Sequence, residues 1–250
     1  ISDTGGIGIC RKMDNPPVYA GHTLRDYMKR KGIKIKGAIK VRKADQEARH
    51  ELLVYKSPPL EELVYHLNKE SNNFMAEQAF KTLGAEKTGL PGTCEGGAQF
   101  TEQFLSQVIG AKPGSYRIEN GSGLGLENRV TPDLLIRVLT FMDANPAYAN
   151  AYMNSLPIMG LDGTLRNRHR FSDAANRIRA KTGFINNVIT LTGFVETKGC
   201  DRLAFSLLMN KYDTKRRANL RKVQDEIILA LSNLVLMPGN PGCASANIAQ

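Results

Sequence analysis

The sequence predicts an α+β protein: helices through most of the chain, then an antiparallel pair of strands, then a closing helix. Three observations predict it. Between residues 19 and 142, apolar residues recur at three- and four-residue spacing in separate stretches. The runs Phe184 to Val195 and Leu203 to Met209 are apolar, and the short turn Lys198-Gly199-Cys200-Asp201 joins them as only antiparallel neighbours can be joined. Beyond them, Leu220, Val223, Ile227, Leu231 and Leu234 fall on one stripe of a helix from about Arg216 to Leu234.

The chain has 250 residues, room for one large domain or two small ones with a sizeable core. Its composition, 42% hydrophobic and 23% charged, is that of a globular protein, and no apolar run approaches a membrane span. A net charge of +10 fits nucleic acid, an anionic surface or a small acidic substrate as partner, and it equally fits a solvated basic surface. Cys10, Cys94, Cys200 and Cys243 are far apart, with no C-x-x-C spacing. Zinc and dithiol redox chemistry are therefore weakly supported, while two disulfides, in any of three pairings, or unpaired thiols stay open. The opening Ile1-Ser2-Asp3-Thr4-Gly5-Gly6 reads as a start inside a longer chain, with residues 1–14 the tail of a preceding segment.

Asp14-Asn15-Pro16-Pro17 is a loop signal, and Tyr19 to Lys31 a helix stopped by Gly32. Ile33, Ile35, Ile39 and Val41 alternate with Lys34, Lys36, Lys40 and Arg42, which predicts a half-buried strand. Its lysine face suits nucleic acid or an edge strand protected by lysines. No interleaved aromatics favour base stacking. Leu52 to Tyr55 is a candidate short strand. Leu60, Leu63, Val64 and Leu67 mark a helix that breaks over Asn68 to Asn73, and a second helix is expected from Phe74 to Leu83, stopping at Gly84. A helix over about Gly96 to Val108 follows, then the turn Glu119 to Gly125. Thr131-Pro132-Asp133 starts a helix with Leu134, Val138 and Met142 on its buried face. A loop from Leu156 to Thr164 leads into the basic segment Arg166, Arg168, His169 and Arg170. The tail 237–250 is expected to be mobile.

Common catalytic sets are missing. None of the four histidines stands in an H-E-x-x-H pattern, and there is no G-x-S-x-G elbow, P-loop or dinucleotide fingerprint. What remains is Ser71-x-Asn73 at a helix break and Lys181-Thr182-Gly183 opening a strand. A hydroxyl and an amide facing a substrate can relay a proton and grip an amide group. A lysine and a threonine on a strand can hold a terminal carboxylate, glycine allows close backbone approach, and the N–H of Phe184 can serve an oxyanion. Lys-Thr-Gly also occurs at Lys87-Thr88-Gly89, but Pro and Gly crowd that copy and no alternating strand follows it, so a loop is expected there.

These stretches, with Asn15-Pro16-Pro17, Tyr19-Ala20-Gly21, Asn120-Gly121-Ser122-Gly123-Leu124 and Leu156-Pro157 through Leu165, stand in one order over roughly residues 15 to 235. In that order they resemble the C-terminal part of class C low-molecular-mass penicillin-binding proteins, the serine D-alanyl-D-alanine carboxypeptidase/endopeptidase family. The resemblance implies a transpeptidase-like, β-lactamase-like domain over residues 15–236, with an antiparallel sheet flanked by helices and its N-terminal part missing. It implies Ser71, Asn73 and Lys181 as catalytic residues, and Thr182, Gly183, Phe184 and Ser122 as substrate-binding ones. It also implies peptidoglycan stem peptides and β-lactams as ligands, the missing N-terminal part as a partner, a cell-envelope or periplasmic location, and no metal or organic cofactor.

Two departures stand out. No Ser-x-x-Lys occurs: Ser71 is followed by Asn-Asn-Phe, Ser122 by Gly-Leu-Gly and Ser172 by Asp-Ala-Ala. In the family that nucleophile motif lies N-terminal to this region, so this chain alone is not expected to form an acyl-enzyme. Phe184 also stands where the family has Ser or Thr, and Asn187 where Gly is usual. A non-catalytic cell-wall-binding relative is the alternative, and a basic nucleic-acid binder rests on charge alone.

Overall fold

The computed structural model describes residues 13–42 and 54–236. The Gly-rich opening, the expected strand start at Leu52-Leu53, the tail from 237, and Cys10 and Cys243 lie outside the described residues. The chain divides into two compact units, residues 1–56 and 57–250, a boundary inside the span 15–236 that the sequence suggests as one piece.

In the first unit, α1 (Pro16–Arg30) starts where Asn15 Oδ1 accepts the Val18 N–H at 3.2 Å and prolines stand in its first turn. Ile33 to Arg42 is not a strand. A strand needs a partner for its backbone groups, and no described strand pairs with this stretch. Ile33, Ile35 and Val41 are exposed, and the side chain of Ile39 is pressed against Gly21 of α1. The alternation is real in the sequence, but it buries no face.

The second unit begins with α2 (Leu60–Glu70), α3 (Asn73–Thr88) and α4 (Cys94–Gln107). The break between α2 and α3 is narrower than the sequence suggests, only Ser71 and Asn72. Gly84 does not stop α3. A Cβ there would stand 2.7 Å from Gly97 N and 2.9 Å from Thr93 O. This glycine lets α3 and α4 cross closely. Lys87 and Thr88 are therefore the end of a helix, with Gly89 at φ +84 closing it, rather than a loop. They are not on a strand.

Then come α5 (Pro132–Ala144) and α6 (Ala149–Ser155), the latter a two-turn helix that no spacing in the sequence marks, and a 3₁₀ turn at Gly163–Leu165. Thr131 caps α5 by accepting the Leu134 N–H at 3.2 Å, and Leu134 and Val138 pack with Leu105 and Ala111.

The expected single strand from Phe184 to Val195 is two. β1 (Ile178–Ile185) turns at Asn186-Asn187 into β2 (Val188–Glu196), which returns as β3 (Arg202–Asn210). Asn187 takes φ 60, a left-handed conformation asparagine tolerates better than most residues. The sheet is antiparallel in the order β1-β2-β3, with Lys181 opposite Thr192 and Gly183 opposite Thr190. Ile178, Ala180, Leu191, Val195 and Phe205 join Ile228 of α7 (Arg217–Ser232) in one core. On the other face Phe194 packs with Leu139 of α5 and Leu156 after α6.

The buried line of α7 is one residue away from the expected stripe. Gln224, Ile228 and Ser232 are buried, while Val223, Ile227 and Leu234 are exposed. Hydrogen bonds make this possible: Gln224 Oε1 accepts from Arg168 Nη2 at 3.2 Å, and Ser232 donates to Leu229 O at 2.8 Å. In the β2–β3 turn Cys200 is disulfide-bonded, and Cys94 carries a free thiol.

Candidate active site

α2 ends because Ser71 takes the left-handed conformation, φ 53 and ψ 51. For a residue with a Cβ this costs roughly 1 kcal/mol. Asn72 then caps α3, its Oδ1 accepting the Met75 N–H at 3.0 Å. The sharp corner leaves the Ser71 hydroxyl off both helices.

Lys181 reaches that hydroxyl from β1. Its Nζ donates to Ser71 Oγ at 2.7 Å and to Thr182 O at 2.9 Å. Alternation along the strand sends Ala180 into the core shared with α7 and Lys181 to the opposite face. Burial strips solvent from the ammonium and holds its pKa below the ordinary lysine value. Lys181 is thus a cation poised to give up a proton more readily than a surface lysine.

The outer edge of β1 is half covered. Met159 N donates to Ile178 O and Ala180 N to Pro157 O, both at 2.9 Å, so residues 157–159 cap the start of the strand. Backbone groups of an antiparallel strand point outward at every second residue. The outward set at 178 and 180 therefore continues at Thr182 and Phe184, beyond the cap. The Phe184 N–H faces away from β2. Its ring is 49% exposed, with the Arg217 guanidinium 4.1 Å from the ring centroid.

Thr182 Oγ1 donates to Thr164 Oγ1 at 2.9 Å. A Cβ on Gly183 would run into Thr190 Oγ1, so this glycine answers to the neighbouring strand as well as to any ligand.

Behind the corner, Lys69 is only 4% exposed. Its Nζ donates to Asp162 Oδ2 at 2.5 Å and to Leu156 O at 2.7 Å. Asp162 Oδ1 accepts the Ile158 N–H at 2.7 Å. Asn68 Nδ2 adds a bond to Ser155 Oγ at 2.8 Å. The end of α2 is thereby fastened to the loop that carries Thr164. Sequence reasoning missed Lys69 and Thr164 as site-supporting residues. The Asp162-Gly163-Thr164 turn was visible, but a buried lysine has no sequence signature of its own.

Ser122 stands apart from the Ser71–Lys181 pair. Its N–H donates to Glu77 Oε1 of α3 at 2.9 Å, and Gly121 N donates to Oε2 at 3.4 Å. Burial pulls the Glu77 carboxyl upward, but hydrogen bonds from Ser122 and Gly121 and the charge of Lys81 outweigh it, and its pKa is below the usual value. Among the described residues no hydrogen bond joins Ser122 to Ser71 or Lys181. Asn73 is the first residue of α3, exposed, and its side chain makes no hydrogen bond among the described residues.

A family model described as the D-Ala-D-Ala carboxypeptidase 3 (S13) family matches residues 2–232. The chain belongs to the S13 family. This S13 chain is 32% identical over 216 residues to a D-alanyl-D-alanine carboxypeptidase of Actinomadura sp. (strain R39), covering 84% of this chain and 39% of the relative. It is 26% identical over 210 residues to the D-alanyl-D-alanine carboxypeptidase DacB of Haemophilus influenzae, covering 83% of this chain and 43% of that one. Penicillin binding protein 4 of Haemophilus influenzae, solved in complex with a β-lactam, superposes with a TM-score of 0.77 at 25% identity, over 89% of this chain and 52% of that one. An extended-spectrum β-lactamase shares the fold with a TM-score of 0.51 at 14% identity, over 70% of this chain and 64% of that one. The S13 chain thus spans less than half the length of the curated relatives named here. Its fold is of the penicillin-binding type, as the sequence leads one to expect.

Proposed function

We propose that this chain forms the substrate-holding wall of a serine D-Ala-D-Ala carboxypeptidase or endopeptidase that acts on peptidoglycan stem peptides and is acylated by penicillin. The observation that carries this reading is the 2.7 Å bond from Lys181 Nζ to Ser71 Oγ, which joins two motifs 110 residues apart in the chain.

The geometry supports the following roles. Lys181 and Thr182 offer a charge and a hydroxyl to the C-terminal carboxylate of the peptide. The Phe184 N–H, aimed out of the sheet edge, is a donor for the oxyanion of the attacked carbonyl. Ser71, hydrogen-bonded to Lys181, relays to the leaving amine the proton that the attacking serine gives up. Asn73, exposed beside it, grips the peptide amide. The turn at Ser122, which Glu77 holds through the Gly121 and Ser122 N–H groups, would contact a part of the peptide away from the Ser71–Lys181 pair. The nucleophile comes from a Ser-x-x-Lys segment, which the 250 residues do not contain. A cell-envelope location belongs to the same reading. Among the described residues no helix is long and apolar enough to cross a membrane.

Fluorescent penicillin tests this on a protein carrying both the Ser-x-x-Lys segment and this chain. Covalent labelling is expected there, with loss of label in Lys181→Ala and no label on the 250 residues alone. Absence of label at saturating probe on the longer protein would replace the enzyme with a non-catalytic cell-wall-binding relative.

A further inference from the structure

The loop between Gly160 and Asn176 carries a cluster of basic residues beside two clefts. The chain puts Arg166, Arg168, His169 and Arg170 within five residues, and the fold sorts them into two pairs. Arg168 Nε donates to Asp225 Oδ1 at 2.5 Å, and His169 Nε2 is 3.0 Å from Asp225 Oδ2. One carboxylate on α7 thus takes up both inner residues. Arg166 and Arg170 have no acidic partner among the described residues, and both line one cleft of about 330 Å³. Asn167 and Asn176 line the same cleft. Phe171 stands on the rim, 96% exposed, with the Arg170 guanidinium 5.9 Å from its ring centroid. A second cleft of about 570 Å³ shares Asn167, Arg170 and Phe171.

The cleft is built by the backbone. Gly160 N donates to Leu165 O at 3.1 Å, Arg168 N to Leu165 O at 3.0 Å, and Asn176 N to Met159 O at 3.0 Å. Ser172 closes the turn on His169 O through both its N–H and its hydroxyl. Two guanidinium groups sharing one cleft repel each other unless an anion is supplied. Guanidinium pairs with carboxylate or phosphate through two parallel hydrogen bonds. An exposed aromatic ring beside them offers an apolar face to the C–H face of a sugar ring.

We propose that this cleft binds an acidic saccharide, a sugar bearing a carboxylate or a phosphate, with Arg166 and Arg170 on the anion and Phe171 against the ring. The cleft begins at Gly160 and Leu161, in the loop whose Thr164 is bonded to Thr182, so a bound glycan would be held next to the peptide site. The proposal does not use the acyl-transfer chemistry. Its failure would leave the penicillin test of Lys181 unaffected.

The test is titration of the full 250-residue chain, followed by NMR at the amides of Arg166, Arg170 and Phe171. The probes are N-acetylmuramic acid, glucose 6-phosphate, neutral N-acetylglucosamine and inorganic phosphate. A saturable shift is expected with either or both acidic sugars, and the tighter of the two identifies the source of the anion. Binding of the neutral sugar should be at least about tenfold weaker, and R166Q and R170Q should each weaken the acidic sugar about tenfold. F171A should weaken the sugars and spare inorganic phosphate. All three residues are exposed, so unchanged melting curves are expected for the variants. Equal binding of neutral and acidic sugars, inorganic phosphate binding as well as a sugar phosphate, or no saturable shift would each overturn the proposal.

Discussion

Lys69 Nζ sits 2.5 Å from Asp162 Oδ2, two residues before the Ser71 corner and two residues before Thr164. The pair fastens both partners of the β1 motif, since Ser71 takes Lys181 and Thr164 takes Thr182. Asp162→Asn leaves a buried ammonium facing a neutral amide. Breaking a buried pair on one side costs about 3–5 kcal/mol, and the partial exposure of Asp162 reduces this to about 2 kcal/mol. Lys69→Met removes the charge with its partner's need only partly unmet and should cost less. Denaturant unfolding of the two variants checks the order, and the reverse order would remove the strut.

Lys181 makes stability depend on pH in an uncommon direction. Burial lowers its pKa in the folded chain, while the unfolded chain keeps the ordinary value of 10.5. Between the two, the unfolded chain binds more protons, so folding gains stability as pH rises. The burial cost is fully present below the folded pKa and is relieved by the time pH reaches 10.5. Relative to Lys181→Met, the native chain should therefore gain stability as pH rises through the alkaline window. A flat difference would mean that the ammonium is solvated.

Glu77 works the other way. Its folded pKa lies below its unfolded value of 4.5, so its contribution is present above 4.5 and lost as pH falls through the folded pKa. In Glu77→Ala the amide protons of Gly121 and Ser122 should exchange faster at neutral pH, and the acid loss of their protection should disappear. Asn128 Oδ1 accepts the Glu119 and Asn120 N–H groups and Asn120 Oδ1 the Gly123 N–H, so unchanged exchange would show that these two asparagines hold the turn alone.

At Gly84 two effects compete. Alanine gains about 1 kcal/mol of helix propensity. Its Cβ must displace backbone at Gly97 and Thr93, and such overpacking costs about 1–3 kcal/mol. Both neighbours are backbone, so the clash should win, and Gly84→Ala should lower the melting temperature. A rise would mean that α3 and α4 separate at little cost.

Much of the site was legible in the sequence because its signals are local. Ser71-x-Asn73 at a helix corner and Lys181-Thr182-Gly183 on a strand are short patterns, and the structure bonds Ser71 to Lys181. Ser122 lies in the expected turn, and Asn73, expected in the break before a helix from Phe74, is the first residue of α3; neither joins that pair. The role of Thr164 needed the fold, since its bond spans 18 residues to a neighbour no spacing rule selects.

The sequence by itself determined the α+β class, the capped start of α5 and which copy of Lys-Thr-Gly lies on a strand, because caps, periodicity and proline act within a few residues. Only the tertiary structure decided four things. It left Ile33 to Arg42 without a strand partner among the described residues, ran α3 through Gly84, turned α7 onto Gln224 and Ser232, and buried Lys69. Each depends on what lies across a contact from a distant part of the chain. Lys181-Thr182-Gly183 stands on both sides of this division. Its residue types were visible in the sequence, but its wall, the lowered pKa of its lysine and its partner Ser71 came from α2, the 156–164 loop and β2 closing around it.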